Sequence, residues 1–339
     1  MINPQIHPIY FPTTTIFVDD SRPFLENLSL QLDPDVAFIL HHSASKALEG
    51  LNARSRLKPF TQGYFSRYAH DQEFSHSSCV IDIDVDRIHQ EFYNQNRFQE
   101  CAVVVVDYVM PEMTGIEFCR QIQLPGVKKV LLTGRADEKL AVRAFNEGII
   151  ERFITKNDSE ALTTLNRVIA ELKEEYFTDL GAPLIDMLTS AAYGFLRDPE
   201  VVKLFDQIRA DRGIVEYYLC CNPEGVLLAS SSGHTYLLII CTEDDMQAHY
   251  EISLDQGAPQ ALLDSLSSRK FIPYFHHTHG FYDPSVSDWR SYLHPVNEIH
   301  GQQRYFYTLV ENPAPFAAKS VVSYQDYLDL LDSTINRSV

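Results

Sequence analysis

Short apolar, β-branched runs that each stop at a polar side chain recur through the first half of the chain. Residues 14–18 run into Asp19 and Asp20, residues 103–106 into Asp107, residues 130–132 into Thr133, and residues 153–155 into Lys156. Segments with helical spacing separate these runs, and strand–helix alternation is the pattern of a parallel sheet covered on both faces. The carboxyl ends of the strands in such a sheet converge on one crevice. Three carboxylates, a hydroxyl and an ammonium would meet there, a set suited to a divalent metal and a phosphoryl group.

The order of the remaining segments supports this architecture. Ser21 is an N-cap with Pro23 in the first turn, and Phe24, Leu25, Leu28 and Leu32 share a helix face. Residues 36–40 form a second strand and 43–51 a helix. Residues 101–106 are apolar on both faces, as a central parallel strand requires. A helix over 115–122, a strand over 130–132, a helix over 137–146 closed by Gly148, and a strand over 150–154 complete five strands and five helices. Residues 53–100 exceed any short connection, so they are expected to be an inserted subelement, with a strand over 79–83 and a helix over 83–92. In the last helix, Leu162, Leu165, Ile169, Leu172 and Tyr176 make a heptad-like seam. One face of it packs on its own sheet, and its far end is expected to serve as a dimer contact or an interdomain spacer.

Gly181-Ala182-Pro183 marks a boundary, giving an α/β domain over 1–177 with its insertion and an α+β domain over 178–339. The second half begins mostly helical and turns to strands from Val215. Strands over 216–221, 226–230 and 236–241, with turns at 222–225 and 232–234, read as an antiparallel meander. Glu243-Asp244-Asp245 opens a polar connection, and a terminal amphipathic helix spans 324–331.

The chemistry of the strand ends follows from charge. Asp19 and Asp20 crowd each other without a cation, and a hard ion such as Mg²⁺ prefers oxygen ligands and keeps its waters. Asp107, alone after an apolar strand, suits a ligand and a nucleophile that forms an aspartyl phosphate. Lys156 would neutralise charge on the equatorial oxygens and Thr133 would offer a hydroxyl to the phosphoryl group.

These residues resemble the receiver domain of two-component response regulators. The resemblance covers residues 14 to about 177, with a flavodoxin-like five-stranded parallel sheet. It rests on Phe17-Val18-Asp19-Asp20, on the Asp-x-x-Met-Pro-x-Met-x-Gly run from Asp107 to Gly115, on Leu131-Leu132-Thr133-Gly134, and on Phe153-Ile154-Thr155-Lys156. It implies that Asp107 accepts phosphate from a sensor histidine kinase or phosphotransfer protein, with Asp19, Asp20 and Asp107 holding Mg²⁺. Thr133 and Lys156 would contact the phosphoryl group, and Phe153 would be the aromatic switch that moves with Thr133. Val109 cannot orient an attacking water as an amide or carboxylate could, and Arg135 would cover the site. Slow self-dephosphorylation is expected from both. Phosphorylation is expected to change homodimerisation through the face of the fourth helix, fifth strand and fifth helix.

The output half is less explicit. From Gly181 onward, 10 Lys and Arg stand against 20 Asp and Glu, a net −10 within a chain of net −18. With no basic cluster and no helix-turn-helix, direct DNA binding is not expected. No P-loop is present. His277 and His279, on alternate strand positions, would share a face, but no third ligand matches them, and polar edge or pocket histidines are the expectation. The meander is only loosely like a small ligand-sensing module, so a downstream protein or small ligand is the expected partner. An enzyme gated by the receiver, with its site in the second half, is the alternative; a third reading is a docking module that is never phosphorylated.

Six irregularly spaced cysteines without a C-x-x-C pair read as reduced, buried thiols. No run of 18 apolar residues is present, and residues 1–8 lack a charged segment followed by an apolar one. The chain is therefore expected to be cytoplasmic, without a membrane span or secretory signal.

Overall fold

The computed structural model describes residues 5–55, 65–69, 79–134, 137–190, 192–278, 280–317 and 321–335. Contacts group the chain into two compact units. One holds Pro12–Gln62, Asn96–Leu180 and Asp326–Val339; the other holds Met1–Phe11, Gly63–Gln95 and Gly181–Gln325.

Strand β1 (Ile9–Tyr10) belongs to the second unit. The first unit follows with β2 (Thr15–Val18), α1 (Arg22–Ser29), β3 (Phe38–His41) and α2 (Ala44–Ser55). Returning to the second unit, the chain forms an antiparallel hairpin of β4 (Phe65–Ala69) and β5 (Cys79–Ile83), then α3 (Asp86–Gln90) and a 3₁₀ turn. The first unit is completed by β6 (Val103–Asp107), α4 (Gly115–Gln121), β7 (Lys128–Thr133), α5 (Glu138–Asn146) and β8 (Arg152–Thr155), and by the start of α6 (Ala161–Thr189).

The sheet order β3-β2-β6-β7-β8 is parallel throughout. This is the expected flavodoxin-like arrangement. β6 is buried along its whole length, which is why four valines precede Asp107 in it. Ile16, Val18, Val104, Val106 and Leu131 pack with Phe118 of α4 and with Ala141 and Ala144 of α5. Leu165, Ile169, Leu172 and Tyr176 of the α6 seam are all buried, so the seam is spent on the unit's own core. No helix of the described residues is long and apolar enough to cross a membrane.

In the second unit, α7 (Pro199–Arg212), β9 (Ile214–Cys221), β10 (Glu224–Ser230) and β11 (Thr235–Cys241) form the meander, followed by α8 (Glu243–Asp255) and α9 (Gln260–Ser267). β12 (Phe271–Pro273) pairs with β13 (Leu293–Pro295). β14 (Asn297–His300) and β15 (Arg304–Glu311) extend the main sheet, whose order is β1-β9-β10-β11-β15-β14. The short α10 (Ala314–Ala317) precedes the final helix, α11 (Tyr324–Ile335).

Several expectations need correction. The contiguous division at 177/178 does not match the contact units. Ile9 and Tyr10 pair with Tyr218 and Tyr217 of β9, and α3 packs its buried Ile88 on the same strand. Residues 63–95 of the insertion thus group with the antiparallel unit. α6 does not stop at Gly181-Ala182-Pro183; it continues because Leu184, Ile185 and Leu188 beyond the proline are buried. Glu243-Asp244-Asp245 is not a connection but the first turn of α8, where acidic side chains suit the helix dipole and Thr242 closes a capping box with Asp245. His277 lies in a turn rather than a strand and is exposed, and His279 lies outside the described residues. The reading of the cysteines holds among the described residues: Cys101, Cys119, Cys220 and Cys241 are buried free thiols, and Cys221 is half-buried and free.

Candidate functional site

β2, β6, β7 and β8 deliver their terminal side chains to one end of the parallel sheet. Asp19 follows β2 and is buried, 2% exposed, while Asp20 beside it faces solvent. Asp107 is the last residue of β6 and is buried. Ligand oxygens of Asp19, Asp20 and Asp107 all lie within 4.8 Å of one another. Two protected carboxylates and one open to water form an all-oxygen donor set that fits a hard divalent cation retaining part of its hydration.

Lys156, just past β8, reaches across this crevice. Its Nζ lies 2.6 Å from Asp19 Oδ2 and 2.8 Å from Asp107 Oδ1. One ammonium therefore bridges carboxylates that are 88 positions apart in the chain (107 against 19). Burial pushes the Asp107 carboxyl above its ordinary value and neighbouring Asp19 adds to the effect, while hydrogen bonding and attraction from Lys156 oppose both. Thr133 ends β7 fully buried, and its hydroxyl donates to the Gly134 carbonyl at 3.0 Å. The Lys156 backbone N–H donates to the Thr133 carbonyl at 2.9 Å, which couples the ends of β7 and β8. Phe153 on β8 is half-buried against the unit's core. Val109 is 63% exposed beside Asp107, and Arg135 lies outside the described residues.

Three contributors escape sequence reasoning. The Lys156 ammonium sits 4.2 Å from the centroid of the Phe24 ring, in the first turn of α1. The Ser21 N–H donates to Asp19 Oδ1 at 2.8 Å, so the same turn that starts α1 also orients a candidate ligand. Glu112 accepts from Ser43 Oγ at 2.8 Å and from the Ser45 N–H at 2.7 Å, tying the loop after Asp107 to the start of α2; these bonds hold its carboxyl below the ordinary value. Ser21-Arg22-Pro23-Phe24 immediately after the paired aspartates is the one local signal; the Glu112 tether spans about 70 positions and leaves none.

This chain resembles a receiver-domain family and a set of solved structures. A family model of the response regulator receiver domain matches residues 71–166. That match begins inside the inserted segment, beyond Asp19 and Asp20, and takes in Asp107, Thr133 and Lys156. The solved structure of the Legionella pneumophila response regulator LqsR is 36% identical, covers 97% of this chain and 97% of its own, and superposes with a TM-score of 0.73. An uncharacterised protein from Neptuniibacter caesariensis is 22% identical over 50% of this chain and 93% of its own, with a TM-score of 0.34. The adenylate cyclase structure from Rhodopirellula baltica is 20% identical over 52% of this chain and 98% of its own, also at 0.34. No curated protein matches. With a relative of this identity matching from end to end, the chain belongs to the response regulator family.

Proposed function

We propose that Asp107 is the phosphoacceptor of this response regulator, and that its donor is a histidine kinase or phosphotransfer protein. The observation that carries this reading is the Lys156 ammonium bridging Asp19 and Asp107 at the carboxyl ends of adjacent parallel strands. Asp19, Asp20 and Asp107 would hold Mg²⁺, which when bound supplies charge neutralisation at the phosphoryl oxygens. The Asp107 carboxylate forms an O–P bond as the donor's P–N bond breaks, and the donor imidazole takes up a proton. Lys156 offers its ammonium to the transferred group and Thr133 its hydroxyl. Phe153 is the aromatic that moves with Thr133.

Val109 offers no polar atom to a water approaching Asp107, so the phosphoryl group is long-lived. Phosphorylation biases self-association through α5, β8 and the first part of α6. α5 leaves Leu140 and Phe145 44% and 45% exposed, an apolar surface that a second copy would cover.

The test is incubation of the full chain with acetyl phosphate and Mg²⁺, read by intact mass and by gel electrophoresis that retards phosphoproteins. One phosphoryl group on the wild type and none on Asp107→Asn are expected. Labelling that survives the substitution would remove Asp107 from this role. Gel filtration with and without a beryllium fluoride mimic tests the second step; profiles identical in size and shape count against it.

A further inference from the structure

The antiparallel unit holds titratable side chains that phosphoryl transfer does not use. A cavity of about 130 Å³ opens at the β9–β10 turn, lined by Asn222, Glu224, Asp245, His249 and Phe281 among others. Glu224 begins β10 and is half-buried, and no described residue offers its carboxyl a hydrogen bond or a cation. Asp245 Oδ2 accepts from both the N–H and the hydroxyl of Thr242, each at 2.7 Å, which leaves its other oxygen uncommitted among the described residues. The His249 ring stands 5.0 Å from the Phe281 ring and has no hydrogen-bond partner among the described residues.

The charge state of this lining is unusual. Desolvation, helped by Asp245, pushes the Glu224 carboxyl up to about 7. Desolvation also holds the His249 imidazole down to about 4, so at neutral pH one ring nitrogen is an acceptor. No Lys or Arg is among the described lining residues. Acceptors therefore outnumber cations in a partly dry space, an arrangement that favours a positively charged, donor-rich occupant.

A single metal ion does not suit it. Among the described residues, only Asp19, Asp20 and Asp107 bring three ligand atoms within 4.8 Å of one another. Glu224, Asp245 and His249 are spread more widely, as a planar cation with donors on several edges requires. Phe281, 37% exposed, offers an aromatic face for such a plane. A cavity near 150 Å³ accommodates benzene, so roughly six non-hydrogen atoms fit here. We propose that this pocket binds a guanidinium group, carried by a small guanidino compound or by an arginine side chain, with its N–H donors directed to Glu224, Asp245 and His249 and its face on Phe281.

Calorimetric titration of the full-length protein with ethylguanidinium and with Nα-acetyl-arginine N-methylamide tests this, against ethylurea as the neutral isostere. Saturable binding of a guanidinium probe is expected, with ethylurea weaker by about ten-fold or more. If ethylguanidinium alone binds, the ligand is a free compound; if the capped arginine alone binds, the group arrives on a peptide. Binding at neutral pH should release on the order of half a proton as Glu224 ionises beside the cation, seen as a dependence of the heat on buffer. The imidazole and thiols facing Glu224 do not supply that proton: His249 is neutral, and burial pushes the Cys221 thiol up to about 12 and the Cys241 thiol upward as well. Glu224→Gln should lose proton release and about ten-fold in affinity, and Phe281→Leu, at an exposed position, should weaken binding without affecting folding. Saturation by neither guanidinium probe up to about 10 mM, equal affinity for ethylurea, or unchanged binding in both variants would overturn the proposal.

Discussion

Gly115 shows how closely β6, the strand that ends in Asp107, is packed. A methyl group at its Cα would stand 2.3 Å from the Asp107 carbonyl oxygen and 2.8 Å from a Leu131 methyl carbon. Neither neighbour can yield cheaply, because one is backbone and the other is in the core. Gly115→Ala should therefore cost about 2 kcal/mol or more in stability, read by urea denaturation, and should displace Asp107 enough to slow phosphorylation. At Val109 the expected change is kinetic. Val109→Gln adds a polar group that can orient water and should shorten the phosphoryl lifetime about ten-fold or more. A wild-type lifetime of seconds at room temperature would contradict the reading of Val109. Glu224 gives a pH signature. Its folded value of about 7 lies above its ordinary 4.5, so the folded protein holds this proton more tightly than the unfolded chain. Its contribution favours folding below about pH 4.5 and is lost as pH rises to about 7. The urea midpoint of Glu224→Gln, relative to wild type, should thus rise across that interval; a constant difference would show that Glu224 titrates normally.

At the scale of elements, the parallel sheet was legible and its neighbours less so. Val103–Val106, Leu131-Leu132 and Asp19-Asp20 announce themselves because strands buried on both faces must be apolar and their ends must carry function. Gly181 and Pro183 misled for the opposite reason: both are local signals for a helix end, but burial of Leu184, Ile185 and Leu188 outweighs them. A two-residue strand such as Ile9–Tyr10 has no periodicity to find. The same holds for the tie between α11 and β2's entry, where Thr14 Oγ1 and Tyr327 OH lie 2.7 Å apart in a buried hydrogen bond. Tyr327→Phe removes that bond and leaves the Thr14 hydroxyl its second partner, the Phe98 carbonyl. A loss of about 1 kcal/mol is expected by chemical denaturation. Ile169→Ala in the buried seam of α6 should cost more, about 2–5 kcal/mol, because it opens a cavity in the sheet's core.

At the scale of the whole molecule, the chain passes between its two units at 11/12, 62/63, 95/96, 180/181 and 325/326. A fragment of residues 178–339 therefore lacks β1 and α3 and leaves β9 an uncovered edge. Expressed alone, it should aggregate or melt without cooperativity, and co-expression of residues 1–177 should rescue it. A soluble, cooperatively melting fragment would show that the interleaved strands are dispensable.

The place of β1 also imposes a timetable. Ile9 is made about 200 residues ahead of its partner Tyr218. At ribosomal speeds of about 5–20 residues per second, the strand waits roughly 10–40 s for the edge it completes. All five strands of the parallel sheet are made within that interval. The growing chain thus completes the strands that bring Asp19, Asp107 and Lys156 together while Ile9 and Tyr10, made before them, still wait for a sheet in another core.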